Sequence, residues 1–207
     1  MARYELHAIS TGKQDWETLT AIAGRIDPYV TAIHLREKSK PLKEIMKGLQ
    51  MLLEAGISSK RIYINGYPAI AKTSLLGGVH LQGTTPSLSE MKELGLDAAR
   101  IGVSVHSMEE AWQREQEGAD YIMFGHIFTT DSKKDVPPRG LEQLSELTAK
   151  VNIPVIAIGG MTPQRVHSVL EAGASGVAVM SGIWEAKDPL KAVKAYANEL
   201  AQMEANK

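Results

Sequence analysis

Short apolar runs rich in β-branched residues alternate along the chain with longer amphipathic stretches. The apolar runs predict eight strands, near residues 4–9, 32–36, 61–65, 78–81, 100–105, 121–124, 154–158 and 176–180. The amphipathic stretches repeat apolar residues at helical spacing, as at Trp16, Leu19 and Ile22. They predict helices over residues 15–25, 42–55, 87–94, 107–117, 162–172 and 188–203. Strands that alternate with helices are typical of βα units and of a parallel sheet.

The residue types at several predicted helix ends agree with this pattern. Ser87 and Ser107 are each followed by Glu three residues later, which is the capping-box arrangement of a helix start. Thr162 followed by Pro163 favours another start. Gly173 favours the end of that same helix, because glycine readily takes the left-handed conformation there.

Eight βα units predict an α/β protein that closes into a (β/α)₈ barrel, or TIM barrel, as a single domain over residues 1–207. The alternative is a doubly wound open sheet. Open sheets that bind dinucleotides carry Gly-x-Gly-x-x-Gly after their first strand, whereas this chain has Ser10-Thr11-Gly12-Lys13 there. In a barrel the active site lies in the loops that follow the strands, so the strand ends decide the chemistry.

The composition narrows the class of protein further. With 43% hydrophobic and 23% charged residues, the 207-residue chain has an ordinary globular composition. The 23 Lys and Arg nearly balance the 24 Asp and Glu, which argues against a nucleic-acid or membrane-surface partner. The chain has no Cys, which excludes disulfides, thiol nucleophiles and thiolate metal sites. No transmembrane-length apolar run or secretory leader is visible, so we expect a cytoplasmic protein.

Glycines follow the last two predicted strands. Gly160 stands in the loop after the seventh strand, and Met180 and Ser181 begin the loop after the eighth. Loops seven and eight of a barrel commonly bind phosphate, because their glycines let backbone N–H groups approach an anion. The alternative is that these glycines only form tight turns.

Two cations follow the second predicted strand. Alternation along the strand places His34, Arg36 and Lys38 on one face. Arg36 and Lys38 would suit an anionic substrate at the barrel mouth, unless they form only a solvated charge cluster. His34 lies deeper in the strand and is predicted to pack inside the barrel.

The sixth strand ends in a long loop that runs to Gly140. Its Thr130, Ser132 and Lys133 can all hydrogen-bond a phosphate. His126 stands where the strand meets the loop, and an imidazole there suits proton transfer near neutral pH. A structural His that bonds the backbone is the equal alternative. His106, after the fifth strand, is a second candidate.

Motifs of other chemistries are missing from the sequence. No metal-binding His pair, Walker loop or Gly-x-Ser-x-Gly elbow occurs. The sequence therefore predicts no metal and no cofactor.

The segments HLREKS, VHLQ, ADYIMFGHIFTTDSKKD and IPVIAIGGMTPQRV resemble the thiamin phosphate synthase superfamily and, within it, the TenI-type thiazole tautomerases. The resemblance implies a (β/α)₈ barrel whose partner is a phosphorylated thiazole. It implies phosphate contacts at Thr130, Ser132, Gly160, Met180 and Ser181. It also implies that a former pyrimidine side is lined by Arg36, Lys38, Asn65, Ser104, His106 and Lys133.

The chain departs from the synthase branch of that superfamily at its metal ligands. Synthases have Asn-Asp after the third strand, where this chain has Asn65-Gly66, and a second Mg²⁺ carboxylate after the fourth, where it has Gln82-Gly83-Thr84. The tautomerase branch carries a His where synthases have Gly-Pro, and this chain has Gly125-His126. The resemblance thus implies a metal-independent isomerase with His126 as sole acid and base.

Three other functions stay open at this point. One is a thiamin phosphate synthase, and another is a non-catalytic thiazole or thiamin phosphate-binding regulatory protein. A different phosphate-sugar isomerase would need a second acid at a strand end, where only Glu37 is well placed. Small barrels often dimerise through exposed helix faces, so a homodimer is open as well.

Overall fold

Eight parallel strands form a closed barrel in which each strand pairs with its neighbours in sequence and the last pairs with the first. The computed structural model describes residues 4–85, 87–93, 95, 100–131 and 134–205. The strands are β1 (Glu5–Ile9), β2 (Ala32–Leu35), β3 (Ile62–Asn65), β4 (Gly78–Leu81), β5 (Arg100–Val105), β6 (Tyr121–Gly125), β7 (Val155–Ile158) and β8 (Gly176–Val179).

The helices follow the strands in turn. They are α1 (Trp16–Ile26), α2 (Leu42–Glu54), α3 (Pro68–Thr73), α4 (Leu88–Glu93), α5 (Met108–Gln116), α6 (Gly140–Thr148), α7 (Val166–Glu171), α8 (Ser181–Trp184) and α9 (Pro189–Ala205). Short 3₁₀ helices cover Asp27–Tyr29, Ser59–Arg61 and Pro163–Arg165. None of the described helices is long and apolar enough to cross a membrane.

The predicted (β/α)₈ fold is confirmed, and all eight strands lie within one residue of their predicted limits. The pattern did not predict α3, α6 or α8. The predicted helix over 162–172 is divided into the 3₁₀ turn Pro163–Arg165 and the shorter α7. Leu94, the predicted end of the helix over 87–94, lies outside the described residues.

Alternation along each strand separates two layers of side chains. In β1, Leu6 and Ala8 pack outward in the main core between the strands and helices, whereas Ile9 packs in a separate inner cluster. That inner cluster also includes Tyr63 and Tyr121. The inner layer is thus formed partly by large aromatic side chains.

Glycines make room for those tyrosines. A Cβ at Gly78 would lie 2.2 Å from a ring carbon of Tyr63, and one at Gly102 would lie 1.9 Å from the ring of Tyr121. A larger residue at either position would force a ring or a strand to move, because barrel interiors are densely packed.

An ion pair spans the amino ends of two strands at the bottom of the barrel. The Arg100 guanidinium donates to both carboxylate oxygens of Glu5, at 2.6 and 2.9 Å, and lies 4.7 Å above the ring of Tyr121. Burial alone would raise the pKa of Glu5. Hydrogen bonds from Arg100 and His7 outweigh burial and lower that pKa from its ordinary 4.5 to about 2.

We expect this ion pair to make folding sensitive to acid. Because the pKa of Glu5 is lower in the folded chain, its carboxylate stabilises the fold fully above pH 4.5, and this contribution is lost as the pH falls towards 2. Urea unfolding of the wild-type protein and of Glu5→Gln across that pH range would measure the loss. If both proteins lose stability in parallel as the pH falls, Glu5 is not the group responsible.

Candidate active site

A cavity of about 940 Å³ opens at the carboxyl ends of the strands. This is the end of a barrel at which active sites lie. The predicted site residues in its wall are Arg36, Lys38, Asn65, Ser104, His106, His126, Thr130, Gly160, Met180 and Ser181. Ser132 and Lys133 lie outside the described residues. The cavity therefore gathers residues from the ends of seven strands, β2 to β8.

The loops after β7 and β8 form one side of the cavity. Gly160 has φ of +63°, and a Cβ there would lie 2.5 Å from the carbonyl oxygen of Thr129. The Tyr196 hydroxyl of α9 donates to the Met161 carbonyl at 2.9 Å, and a Cβ at Gly182 would lie 2.7 Å from that hydroxyl. Only small residues fit at Gly160 and Gly182, and both positions lie in the cavity wall.

His126 follows β6 directly and is 5% exposed, within the cavity wall. Its Nε2 lies 3.1 Å from the Val136 carbonyl oxygen. A carbonyl oxygen only accepts, so Nε2 carries a hydrogen and the neutral ring has its lone pair on Nδ1. None of the described residues hydrogen-bonds Nδ1. The peptide bond between Gly125 and His126 is cis.

Gly159 of the next loop packs against His126. Its φ is +98°, and a Cβ there would lie 2.2 Å from the His126 Cβ and 2.6 Å from its Cα. The Ile127 amide donates to the Ile158 carbonyl at 2.9 Å, so the pairing of β6 with β7 continues past the imidazole. The position of His126 is therefore set from both sides by backbone.

The base of the β6–α6 loop is closed by Arg139. Its backbone amide donates to the His126 carbonyl at 2.9 Å, and its Nε donates to the Gly125 carbonyl at 3.0 Å. The His106 ring shares that Gly125 carbonyl through Nδ1 at 3.4 Å. His106 thus contacts the backbone segment that carries His126, but of the two imidazoles only His126 is buried.

The cationic side of the cavity is formed after β2. Among the described residues, neither Arg36 nor Lys38 forms an ion pair. Burial lowers the pKa of Arg36, although Glu37 opposes the shift. Glu37 is itself paired with Lys40 at 2.5 Å and accepts from Ser10 at 2.5 Å. The charges of Arg36 and Lys38 are therefore available to an anionic ligand.

The floor of the cavity contains two residues for which the sequence predicts no role in a site. His80 and Met123 lie there beside the predicted Ser104. The His80 ring contacts the Ser104 hydroxyl through Nε2 at 2.8 Å and the Tyr121 hydroxyl through Nδ1 at 3.1 Å. Burial lowers the pKa of His80 to about 3, so the floor is uncharged at neutral pH.

The carboxylates of the cavity do not form a site for Mg²⁺, which prefers several oxygen ligands including free carboxylates. Among the described residues of its wall, only Glu37 and Glu110 are carboxylates. Glu37 is neutralised by Lys40, and Glu110 accepts from the His106 amide at 2.5 Å. The described part of the chain contains no cluster of three or more His, Asp or Glu that could hold a metal ion.

The family model described as thiamine monophosphate synthase matches residues 6–183, nearly the whole barrel. The chain belongs to the thiamine monophosphate synthase family. Two relatives named thiamine-phosphate synthase support this. One, from Chlorobium phaeovibrioides, is 38% identical over 83% of each chain. The other, from Moorella thermoacetica, is 35% identical over 94% of each.

The fold of the family is found again among solved structures. A thiamine phosphate pyrophosphorylase from Pyrococcus furiosus superimposes with a TM-score of 0.80, is 30% identical and covers 97% of both chains. The predicted superfamily is therefore confirmed, and the chain is an enzyme of thiamine biosynthesis. The predicted tautomerase branch finds no support in these relatives, because they are named for the synthase reaction.

Proposed function

We propose that this member of the family is a thiazole tautomerase, an isomerase that converts an alkylidene carboxythiazole phosphate to the aromatic carboxythiazole phosphate. One observation carries the proposal. His126 lies in the cavity wall with Nδ1 free of described partners, while the described residues of the wall offer no free pair of carboxylates for a metal. The site can move a proton, but its described residues lack the carboxylates that would hold Mg²⁺ against a diphosphate leaving group.

His126 accounts for both proton transfers of such an isomerisation. Its Nδ1 removes the proton from C2 of the ring, and the electron pair shifts through the ring to the exocyclic double bond. The same imidazolium then gives a proton to the side-chain carbon, which leaves the aromatic ring and restores neutral His126. The reaction needs no oxidant and no leaving group. A positioned general base of this kind contributes a factor of about 10²–10⁴.

The other walls hold the substrate for this transfer. The glycine loops after β7 and β8 bind the phosphate and fix the ring against the imidazole, which is a proximity effect. Arg36 or Lys38 neutralises the ring carboxylate. That charge matters, because removal of a proton beside an unpaired carboxylate would place negative charge next to negative charge.

The synthase reaction is the second candidate, and the names of the relatives favour it. It would join a thiazole phosphate to a pyrimidine diphosphate with Mg²⁺. Arg36, Lys38 and Asn65 remain in the cavity to hold such a substrate. Glycine at position 66 and the Gln82-Gly83-Thr84 segment supply no carboxylate where the resemblance places the metal ligands.

We expect turnover of the alkylidene carboxythiazole phosphate to be unchanged, within about twofold, by EDTA, because no step of the proposed reaction needs a divalent ion. The same preparation should form no thiamin phosphate when Mg²⁺ and both synthase substrates are supplied. The Moorella thermoacetica relative serves as the control that should make thiamin phosphate and lose that activity in EDTA. Condensation at the relative's rate would establish the synthase reaction instead.

Solvent deuterium exchange at C2 separates a tautomerase from a non-catalytic binding protein. A tautomerase accelerates loss of the C2 proton, whereas a protein that only binds the phosphate cannot. Binding of the aromatic product with no acceleration of exchange would contradict the proposal.

A further inference from the structure

A chain of hydrogen-bonded side chains crosses the barrel interior beneath the cavity, and the proposed proton transfer does not use it. This hydrogen-bonded network begins at Glu5 in β1 and passes through His7 and His34 to Asn65 in the cavity wall. Glu5 Oε2 lies 2.9 Å from His7 Nε2, and His7 Nδ1 lies 3.0 Å from His34 Nε2. His34 Nδ1 lies 3.3 Å from Oδ1 of the Asn65 amide. Both imidazoles are 0% exposed.

The direction of these hydrogen bonds is fixed at the Glu5 end. Paired with Arg100, the carboxylate of Glu5 stays ionised and can only accept, so His7 must donate from Nε2. Burial lowers the pKa of both His7 and His34, and each neutral ring carries one hydrogen. His7 Nδ1 therefore accepts from His34 Nε2, which leaves His34 with a lone pair on Nδ1.

That lone pair decides the orientation of the Asn65 amide. The oxygen and the NH₂ group of an amide have almost the same shape, so the hydrogen-bond network assigns them. If the Asn65 oxygen faced His34 Nδ1, a lone pair on each atom would point at the other. A hydrogen on His34 Nδ1 would remove this repulsion, but the two buried rings would then carry three hydrogens between them. The NH₂ group of Asn65 must therefore face His34, so the nitrogen takes the place that Oδ1 holds in the 3.3 Å contact, and the carbonyl oxygen remains for the cavity.

We propose that Glu5, acting through His7 and His34, orients Asn65 so that it offers the cavity a hydrogen-bond acceptor. Glu5 is then a positioning residue at the opposite end of the barrel from the ligand. The acceptor selects ligands with an N–H or O–H donor at that place and disfavours carboxylate or phosphate oxygens there. This selection directs an acidic group of the ligand towards Arg36 and Lys38, and it does not depend on which of the two reactions the protein catalyses.

The tautomers of the two rings test the proposal directly in the wild-type protein. Long-range ¹H–¹⁵N NMR distinguishes a nitrogen that carries hydrogen from one with a lone pair. At neutral pH we expect hydrogen on Nε2 and a lone pair on Nδ1 in both His7 and His34. Hydrogen on Nδ1 of either ring would overturn the proposal.

Removal of the Glu5–Arg100 ion pair should leave the tautomers of His7 and His34 no longer fixed. In a Glu5→Leu/Arg100→Leu double variant no carboxylate holds His7 Nε2, so the His7 and His34 signals should change to averaged or reversed tautomers. Glu204→Gln is the matched control. Glu204 is another carboxylate at the bottom of the barrel, where it accepts a hydrogen bond from the Tyr4 amide, and it does not belong to the Glu5–His7–His34–Asn65 network. Unchanged tautomers in the double variant would show that Glu5 does not set them.

Asn65→Asp tests the cavity end of the hydrogen-bonded network, and its result does not depend on whether the double variant folds. An ionised Asp cannot donate to His34 Nδ1, so we expect the protein to take up one extra proton at neutral pH, on an imidazole or on the new carboxyl. Neutral rings in their wild-type tautomers beside an ionised carboxylate would overturn the assigned direction.

Two nearly isosteric probes test the acceptor itself. 2-Aminothiazole carries an N–H donor where 2-methylthiazole carries a methyl group. We expect wild-type protein to bind the amine about three- to tenfold more tightly, the usual value of one hydrogen bond, and the Glu5→Leu/Arg100→Leu variant to lose this preference. Equal binding of the two probes to wild-type protein, or no binding of either, would show that Asn65 offers no acceptor to a ligand.

Discussion

Replacement of His126 by Asn is expected to lower turnover of the alkylidene carboxythiazole phosphate by about 10²- to 10⁴-fold, because an amide cannot take and return a proton. The barrel should remain folded, since one buried polar ring in the cavity wall is replaced by another polar side chain and no apolar core side chain is removed. Binding of the product phosphate should also persist, because the loops after β7 and β8 are untouched. Steady-state kinetics, circular dichroism and product titration measure these three quantities.

Two further variants make this result specific. His126→Gln can still donate to the Val136 carbonyl but cannot titrate, so it should be as inactive as the Asn variant. His167→Asn changes an imidazole on α7 whose side chain is 39% exposed, and it should keep wild-type activity. Wild-type turnover by His126→Asn would remove His126 from the mechanism.

Gly159→Ala is expected to cause the second large effect, through the position of His126. A non-glycine residue at φ of +98° is strained, and the new Cβ would lie 2.2 Å from the His126 Cβ. Strain and overpacking together should cost about 2–6 kcal/mol of unfolding free energy. We also expect the turnover number to fall by at least about tenfold, because the imidazole or the loop must move away from its position.

Gly24→Ala is the matched control for this substitution. Gly24 lies within α1 with no heavy atom within 4 Å of a new Cβ, so alanine there should stabilise the protein slightly. Thermal unfolding and activity measured side by side would separate the two positions. Unchanged activity and stability in Gly159→Ala would show that the contact between Gly159 and His126 contributes to neither turnover nor folding.

The strands could be predicted from the sequence because a strand in a closed parallel barrel is buried on both faces and forms an apolar run. Short helices gave a weaker signal. At six residues, α3 has fewer than two turns in which to show a helical period. The α6 helix begins at Gly140 with no side-chain cap, so its start resembles the end of a loop.

The cavity could be predicted in part for similar reasons. Strand alternation pointed to Arg36, and the position of His126 at a strand end marked it as a candidate. His80 was not assigned to the cavity, because one His between Val79 and Leu81 gives the same pattern whether it packs or faces a ligand. The contacts of His126 with Val136 and Gly159 depend on how separate loops meet, which no local pattern reports.

The hydrogen bond from Tyr196 to the Met161 carbonyl has a consequence for the order in which the protein folds. All eight strands precede residue 180, but this tyrosine belongs to α9. A refolding chain can therefore close its sheet before the loop after β7 is secured. We expect ligand affinity to be the final property that the refolding protein recovers, only after α9 has docked.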